Sequence, residues 1–412
     1  MNRLSTLFLY LVTFFTPLSL NTITQGQLVK PRKIIAFTLN GGYGHMAACE
    51  LLQKTFVNDT VKIVNPFSEI IQSCFKALPI ITLGKFKANK TDDFYNYLLQ
   101  NQWVRTLNHL VRHQNKSHFH RNRKKMERLF TAYFKKEKPD IIISPVSWIN
   151  YAASQAAHKC NIPFLMVSLD ADLSFWINDM ERSTNPSFHM TVGAMTQHLQ
   201  QQINSKKIKP NQITIVGHAL RHEFFTPKNK ELIKEEWKLP KDKPLIMIIR
   251  GGSGSSQMID TVKNLKKAKT PLHLMVCIGK NEKIGKNLQK INLPPHITMT
   301  IIPFTKKMAD IMTVADALIS QPTPNVCKEA MHLGVPILFD MTQPTLFWER
   351  RTIDWAGQDT IFTIVKKEKQ MVNALTDLLK RPKLVKKTED KLNFSVEIVK
   401  VVNKMCPPVA RA

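Results

Sequence analysis

Two glycine-rich turns carry the residues most able to do chemistry. Asn40-Gly41-Gly42-Tyr43-Gly44-His45-Met46-Ala47-Ala48 and Arg250-Gly251-Gly252-Ser253-Gly254-Ser255-Ser256 each follow an apolar, strand-like run and precede a helical one. Glycine lets a backbone turn sharply and approach a ligand, and the free amides at a helix start favour an anion. Gly42-x-Gly44-x-x-Ala47 has the form of a dinucleotide fingerprint. That chemistry also needs an acid at the end of the second strand, and Asn65-Pro66 stands there instead. The second turn lacks the Gly-Lys-Ser/Thr ending of a P-loop, so backbone amides and serine hydroxyls are left to cradle phosphate. His45 opens the first helix, and an imidazole titrates near neutral pH, which suits a proton acceptor. A plain hydrogen-bond donor at a helix start is the other role open to it. Asp170 and Asp172, in Asp170-Ala171-Asp172-Leu173-Ser174-Phe175-Trp176, follow a strand where α/β proteins place site residues. Such a pair can act as a base, orient a histidine or hold a metal, and ordinary loop acids are the alternative.

These motifs need rigid elements to position them. Residues 34–39, 61–64, 140–144, 164–169, 187–192 and 212–216 form apolar runs separated by helical stretches. After a pause near residue 226 the pattern starts again at 245–249, 272–278, 297–302, 317–320 and 335–339. Apolar strands alternating with helices predict a doubly wound parallel sheet covered on both faces. The same architecture therefore occurs twice, with domains expected over 29–225 and 226–412. Residues 69–135 read as largely helical and basic, with Trp103, Val104, Leu107, Leu110 and Val111 at helical spacing.

The chain has 412 residues, 43% hydrophobic and 22% charged, which fits two packed domains and excludes a disordered chain. Lys and Arg number 59 against 31 Asp and Glu, a formal charge of +28. That excess favours anionic partners, either acidic headgroups or phosphorylated small molecules, and it concentrates at 116–125, 263–269 and 380–387. No nucleic-acid motif accompanies it. The six cysteines form no C-x-x-C pair and no zinc spacing, so buried free thiols are expected. Arg3 followed by the apolar run 7–15 reads as a signal-peptide-like segment or an anchor within residues 1–28, which leaves export and inner-face anchoring both open. The aromatic and basic mix at 70–125, with Phe75, Phe86, Phe94, Trp103, Arg105 and Arg112, suits an anionic membrane surface or the exterior of an ordinary core helix.

Residues 303–357 hold the most specific pattern. It runs through Pro303-Phe304, Ala315-Asp316-Ala317-Leu318-Ile319-Ser320, Gln321-Pro322-Thr323-Pro324-Asn325-Val326-Cys327-Lys328-Glu329-Ala330 and Gly334-Val335-Pro336. Together with the first glycine turn, Asp170–Trp176 and Val216-Gly217-His218-Ala219-Leu220-Arg221-His222-Glu223-Phe224, it resembles a known glycosyltransferase family over about residues 33–360. That family contains the monogalactosyldiacylglycerol synthases, the processive diacylglycerol glucosyltransferases and the peptidoglycan N-acetylglucosaminyltransferase.

The resemblance implies a GT-B α/β fold, two Rossmann-like domains facing across a cleft. It implies inverting transfer of a hexose from a UDP-sugar, with no catalytic metal and no cofactor beyond the sugar nucleotide as co-substrate. Within the family, the aromatic and basic segment 70–125 favours a diacylglycerol-like lipid at a membrane over a peptidoglycan precursor as the acceptor. His45 then becomes the acceptor-side base, with Asp170 or Asp172 orienting it, and Gly41, Gly42 and Gly44 form the acceptor-side loop. Gly251, Gly252, Ser253 and Gly254 fall to the donor diphosphate, and Glu329 to the ribose. Two features depart from the family pattern: Gln321-Pro322-Thr323-Pro324 replaces Lys-x-Gly-Gly, and residues 343–350 show no clear Gln-Glu-x-x-Asn. A binding protein that has lost catalysis and a nucleotide-sugar epimerase are the other functions this architecture admits.

Overall fold

The computed structural model describes residues 30–39, 44–75, 98, 103–251, 254–382 and 392–409. The first half forms a sheet of β1 (Lys33–Phe37), β2 (Thr60–Val64), β3 (Ile141–Ser144), β4 (Phe164–Val167), β5 (Phe188–Val192) and β6 (Ile213–Ile215). The second forms a sheet of β7 (Leu245–Ile249), β8 (Leu272–Gly279), β9 (Ile297–Pro303), β10 (Ala317–Ser320), β11 (Ile337–Asp340) and β12 (Phe362–Val365). Their spatial orders are β2-β1-β3-β4-β5-β6 and β12-β11-β10-β7-β8-β9. All neighbours run parallel, for example Ile34 beside Val61 and Ile141, and Ile246 beside Ala317 and Leu274. Every residue of β3, β4 and β7 is buried, as expected for strands covered on both faces.

Each sheet has a switch point, where the chain leaves adjacent strands in opposite directions. In the first half it lies between β1 and β3, and in the second between β7 and β10. The glycine turns follow β1 and β7. The segment Gln321–Pro324 follows β10, and Pro145 follows β3. The motifs therefore sit at the strand ends where open α/β sheets bind ligands.

The flanking helices used below are α1 (Gly44–Thr55), α2 (Val104–His109), α3 (Lys116–Glu137), α4 (Gln197–Ser205), α5 (Gln257–Leu265), α6 (Pro324–Leu333) and α7 (Phe394–Met405). A π-helical stretch, Leu110–Asn115, joins α2 to α3. On α3, Phe119, Met126, Phe130 and Phe134 are buried, while Arg121, Lys124, Lys125, Arg128, Lys135 and Lys136 face solvent. Among the described residues no helix is long and apolar enough to cross a membrane. All six cysteines are free, and four of them are buried.

The last helix corrects the expected division at residue 226. In α7, Phe394, Ile398, Val401 and Val402 belong to the core of the first half. Arg32, just before β1, clamps the helix: Nη1 donates to Asn403 Oδ1 at 2.7 Å and to the Cys406 carbonyl at 2.9 Å, and Nη2 pairs with Asp59 at 2.7 Å. The chain crosses between the halves once after Val216 and returns before Leu392. The two crossings touch where Gly217, at φ 77°, leaves no room for a side chain: a Cβ would lie 2.4 Å from the Leu392 carbonyl. An apolar stripe on a helix announces burial without saying against which sheet. Phe394→Ala is expected to cost about 3–5 kcal/mol, as for other buried aromatics. Hydrogen exchange should show the loss in β1 and α1, and a loss confined to β7–β12 would contradict this packing.

Candidate active site

On the first half, the start of α1 places His45 beside the loop that follows β3. His45 Nδ1 lies 2.6 Å from the Pro145 carbonyl. A carbonyl only accepts, so Nδ1 carries the hydrogen and Nε2 becomes the proton-accepting nitrogen of the neutral ring. The ring packs 6.3 Å from Trp176, and the Trp176 indole donates to Asp170 Oδ2 at 2.9 Å. Burial raises the Asp170 pKa, against the opposing influence of His45, Trp176 and Lys328. Histidine and carboxylate thus share one corner, at the C-terminal ends of β1 and β4.

Asp172 has a different task. Its Oδ1 accepts from the Ser174 amide at 2.8 Å and from Gln202 Nε2, on α4, at 2.9 Å. Its Oδ2 lies 3.8 Å from His198. These bonds close the loop and orient its neighbours, so of the two sequence candidates Asp170 is the one beside His45. Of the acceptor-side loop, Gly44 starts α1, while Gly41 and Gly42 lie outside the described residues.

On the second half, Gly251 and Gly254 have φ of 65° and 66°, and Gly252 and Ser253 lie outside the described residues. A Cβ on Gly254 would meet the Ile278 carbonyl at 2.3 Å, whereas Gly251 faces open space. A buried network holds this turn. Arg250 forms an ion pair with Asp340, at the end of β11, and donates to Gln257 on α5 at 2.7 Å. Asp340 also accepts from Thr342 Oγ1 at 2.6 Å and from Thr261 at 3.2 Å. The turn after β7 is therefore braced by β11 and α5 together.

Glu329 lies on α6 and accepts from Arg221 Nη2 at 3.1 Å. Arg221 Nη1 also pairs with Glu223 at 3.1 Å, in the segment crossing between the halves. Burial raises the Glu329 pKa, and Arg221 acts to lower it.

Among the described residues, three contacts between the two halves lie beside the site. Asn325, the second residue of α6, packs over the start of α1: a Cβ on Gly44 would lie 2.1 Å from Asn325 Nδ2. Ala171, beside Asp170, joins the core of the second half. Asn108 on α2 bridges to the segment after β11, donating to the Thr345 carbonyl at 3.0 Å and accepting from the Phe347 amide at 3.2 Å. Phe175 adds ring contacts to Phe347 at 5.4 Å and to Trp348 at 5.6 Å. The next residue, Glu349, is thereby brought to the Asp170 corner. Burial and the Asp170 charge push its pKa up to about 8. Sequence reasoning missed Glu349, Lys328, Arg221 and Asn325 as cleft residues. All four stand in segments quoted for other reasons, and only the closure of the two halves gives them neighbours.

Two doubly wound halves with their switch points set against each other define the GT-B architecture. Residues 245–341 match the glycosyltransferase family 28 C-terminal domain. The processive diacylglycerol beta-glucosyltransferase of Bacillus licheniformis is 23% identical over 338 residues, covering 78% of this chain and 82% of the relative. That of Bacillus thuringiensis is 23% identical over 341 residues, covering 79% and 81%. Among solved structures, MurG of Acinetobacter baumannii superposes with a TM-score of 0.57 at 16% identity, covering 91% of this chain and 100% of that one. The UDP-GlcNAc 2-epimerase of Neisseria meningitidis, bound to UDP-GlcNAc, gives 0.53 at 15% identity, covering 90% and 99%. The chain has the GT-B fold, and within it residues 245–341 match a glycosyltransferase C-terminal domain.

The raised Glu349 pKa has a thermal consequence. In the unfolded chain this carboxyl ionises near 4.5, and in the folded protein near 8. Between those values the unfolded state has released the proton and the native state has not, so stability falls as pH rises. Glu349→Gln, which mimics the protonated acid, should match the parent melting temperature at pH 5 and exceed it at pH 8.5. A difference that does not change with pH would contradict a protonated Glu349.

Proposed function

We propose that the protein is an inverting glycosyltransferase that moves a hexose from a UDP-sugar to a diacylglycerol-like lipid. The observation that carries this reading is the His45 corner. A tautomer fixed by Pro145 leaves Nε2 as the basic nitrogen, Asp170 lies close enough for the two charges to interact, and the start of α6 packs over the start of α1. In the reaction, the acceptor hydroxyl gives its proton to His45 Nε2 while its oxygen forms a bond to the anomeric carbon. The bond from that carbon to the β-phosphate oxygen breaks, and the nucleoside diphosphate leaves with the electron pair. Asp170 stabilises the imidazolium until its proton passes to solvent. On the opposite wall, the turn at Gly251 and the start of α6 face the phosphates with amides, and Glu329 offers the ribose a carboxylate. The relatives that act on diacylglycerol support a lipid acceptor.

The basic outer face of α3 supports a membrane-associated enzyme that reaches this acceptor at an anionic lipid surface. Its six exposed cations lie opposite a fully engaged apolar stripe, so they can meet headgroups without disturbing the core. Phe86 and Phe94, which belong to the same expectation, lie outside the described residues.

Turnover of a UDP-hexose with diacylglycerol in acidic vesicles tests both parts. His45→Ala should lower turnover by about 10²–10⁴-fold, as for loss of a general base, with UDP affinity nearly unchanged. His45→Gln should not restore it, because an amide accepts hydrogen bonds but not a proton. Near-normal turnover in the Gln variant would move the base to Asp170. Added salt should slow the parent enzyme on acidic vesicles, and equal rates on neutral vesicles would remove the electrostatic part of the account.

A further inference from the structure

Lys328 is a cation that the transfer chemistry leaves unused. It sits on α6 next to Glu329 and is only 4% exposed. Its ammonium has no hydrogen bond and no ion pair within 4.0 Å among the described residues. The two nearby carboxylates are otherwise engaged, Glu329 by Arg221 at 3.1 Å and Asp170 by Trp176 at 2.9 Å. Both feel the Lys328 charge without closing on it. An ammonium largely withdrawn from water without a protein partner is costly to the protein that holds it. A ligand that supplies the missing charge accounts for such a residue.

Its surroundings define that ligand. The starts of α1 and α6, helices of 12 and 10 residues, abut through Gly44 and Asn325 beside it, and both project positive dipole ends. Pro324, at the first turn of α6, has no N–H to give, so this helix start offers one donor fewer. An anion held here therefore draws on a side-chain cation. Two acids flank it: Glu329, the next residue, which Arg221 holds, and Asp170 in the His45 corner, and both feel the Lys328 charge. With the ribose at Glu329, as the transfer reading has it, Lys328 is the adjoining cation on the phosphate side.

We propose that Lys328 binds the terminal phosphate of the bound nucleoside diphosphate, next to the bond that breaks, and makes the site select a diphosphate over a monophosphate. This rests on the transfer reading and assigns a residue to its leaving group. Burial pulls the ammonium pKa down only to about 8, so it still carries its charge at neutral pH.

Titration of the full chain with UDP, UMP and uridine tests the assignment. The parent protein should bind UDP at least tenfold more tightly than UMP. Lys328→Met, which keeps the length and apolar volume of the stem, should lose most of that preference while binding uridine as before. Its melting temperature without ligand should be unchanged or higher, because the unpaired charge is gone. Lys328→Gln should show the same lost preference, which guards against a packing effect peculiar to methionine. A UDP-to-UMP ratio unchanged in both variants would overturn the proposal, as would an equal loss of uridine binding. If the parent protein binds none of the three, the transfer reading itself fails, and that result is distinct from parental binding retained by the variants.

Discussion

Much of this molecule depends on the contact between the starts of α1 and α6. At Gly44 a methyl group would meet the Asn325 side-chain amide and turn it aside, so glycine is what lets that amide seat over the start of α1. Each of these helix starts follows a strand at the switch point of its own sheet, and contact between them sets the two switch points face to face. His45, one residue beyond Gly44, then lies across from Lys328 and Glu329, which are three and four residues beyond Asn325. A glycine is used here for approach, since the residue is helical and no positive φ is involved.

The contact is kept in place from outside the cleft. The Arg32 clamp fastens α7 to the first half, and Gly217 lets the outgoing and returning segments pass against each other. Asn108 and the Phe175, Phe347 and Trp348 rings close a further side. Within this frame three carboxyl groups, Asp170, Glu329 and Glu349, are all raised by burial. Three basic residues, His45, Arg221 and Lys328, stand among them. Perturbed acids and cations gathered where two domains meet support the site proposed above. The Arg250–Asp340 pair gives the contrast, because its groups saturate each other and their neighbours and hold a turn in shape.

Most of the strand pattern was legible because buried parallel strands are continuous apolar runs, and Leu245–Ile249 matches its expected bounds. The unrecognised strand was β12, Phe362–Val365, an edge strand whose partial exposure weakens that signal. The placement of α7 was not legible, since its stripe fits either sheet equally well. In the site, His45 and Asp170 were legible from their positions after strands. Asp172 carried the same local signal, yet Gln202 and the Ser174 amide occupy it. Lys328 and Glu349 gave no signal at all, because a lysine in a helix and a glutamate in a loop ordinarily read as solvated surface. Their meaning comes from a domain contact that no local pattern encodes.

On this proposal the donor nucleotide lies on the wall formed by the second half and faces His45 across the cleft. Hydrogen exchange with and without UDP measures this directly. Protection should appear at the turn after β7 and at the start of α6, while β12 and α7 exchange as before. Protection confined to the first half, or none at saturating UDP, would contradict a nucleotide held by the second half.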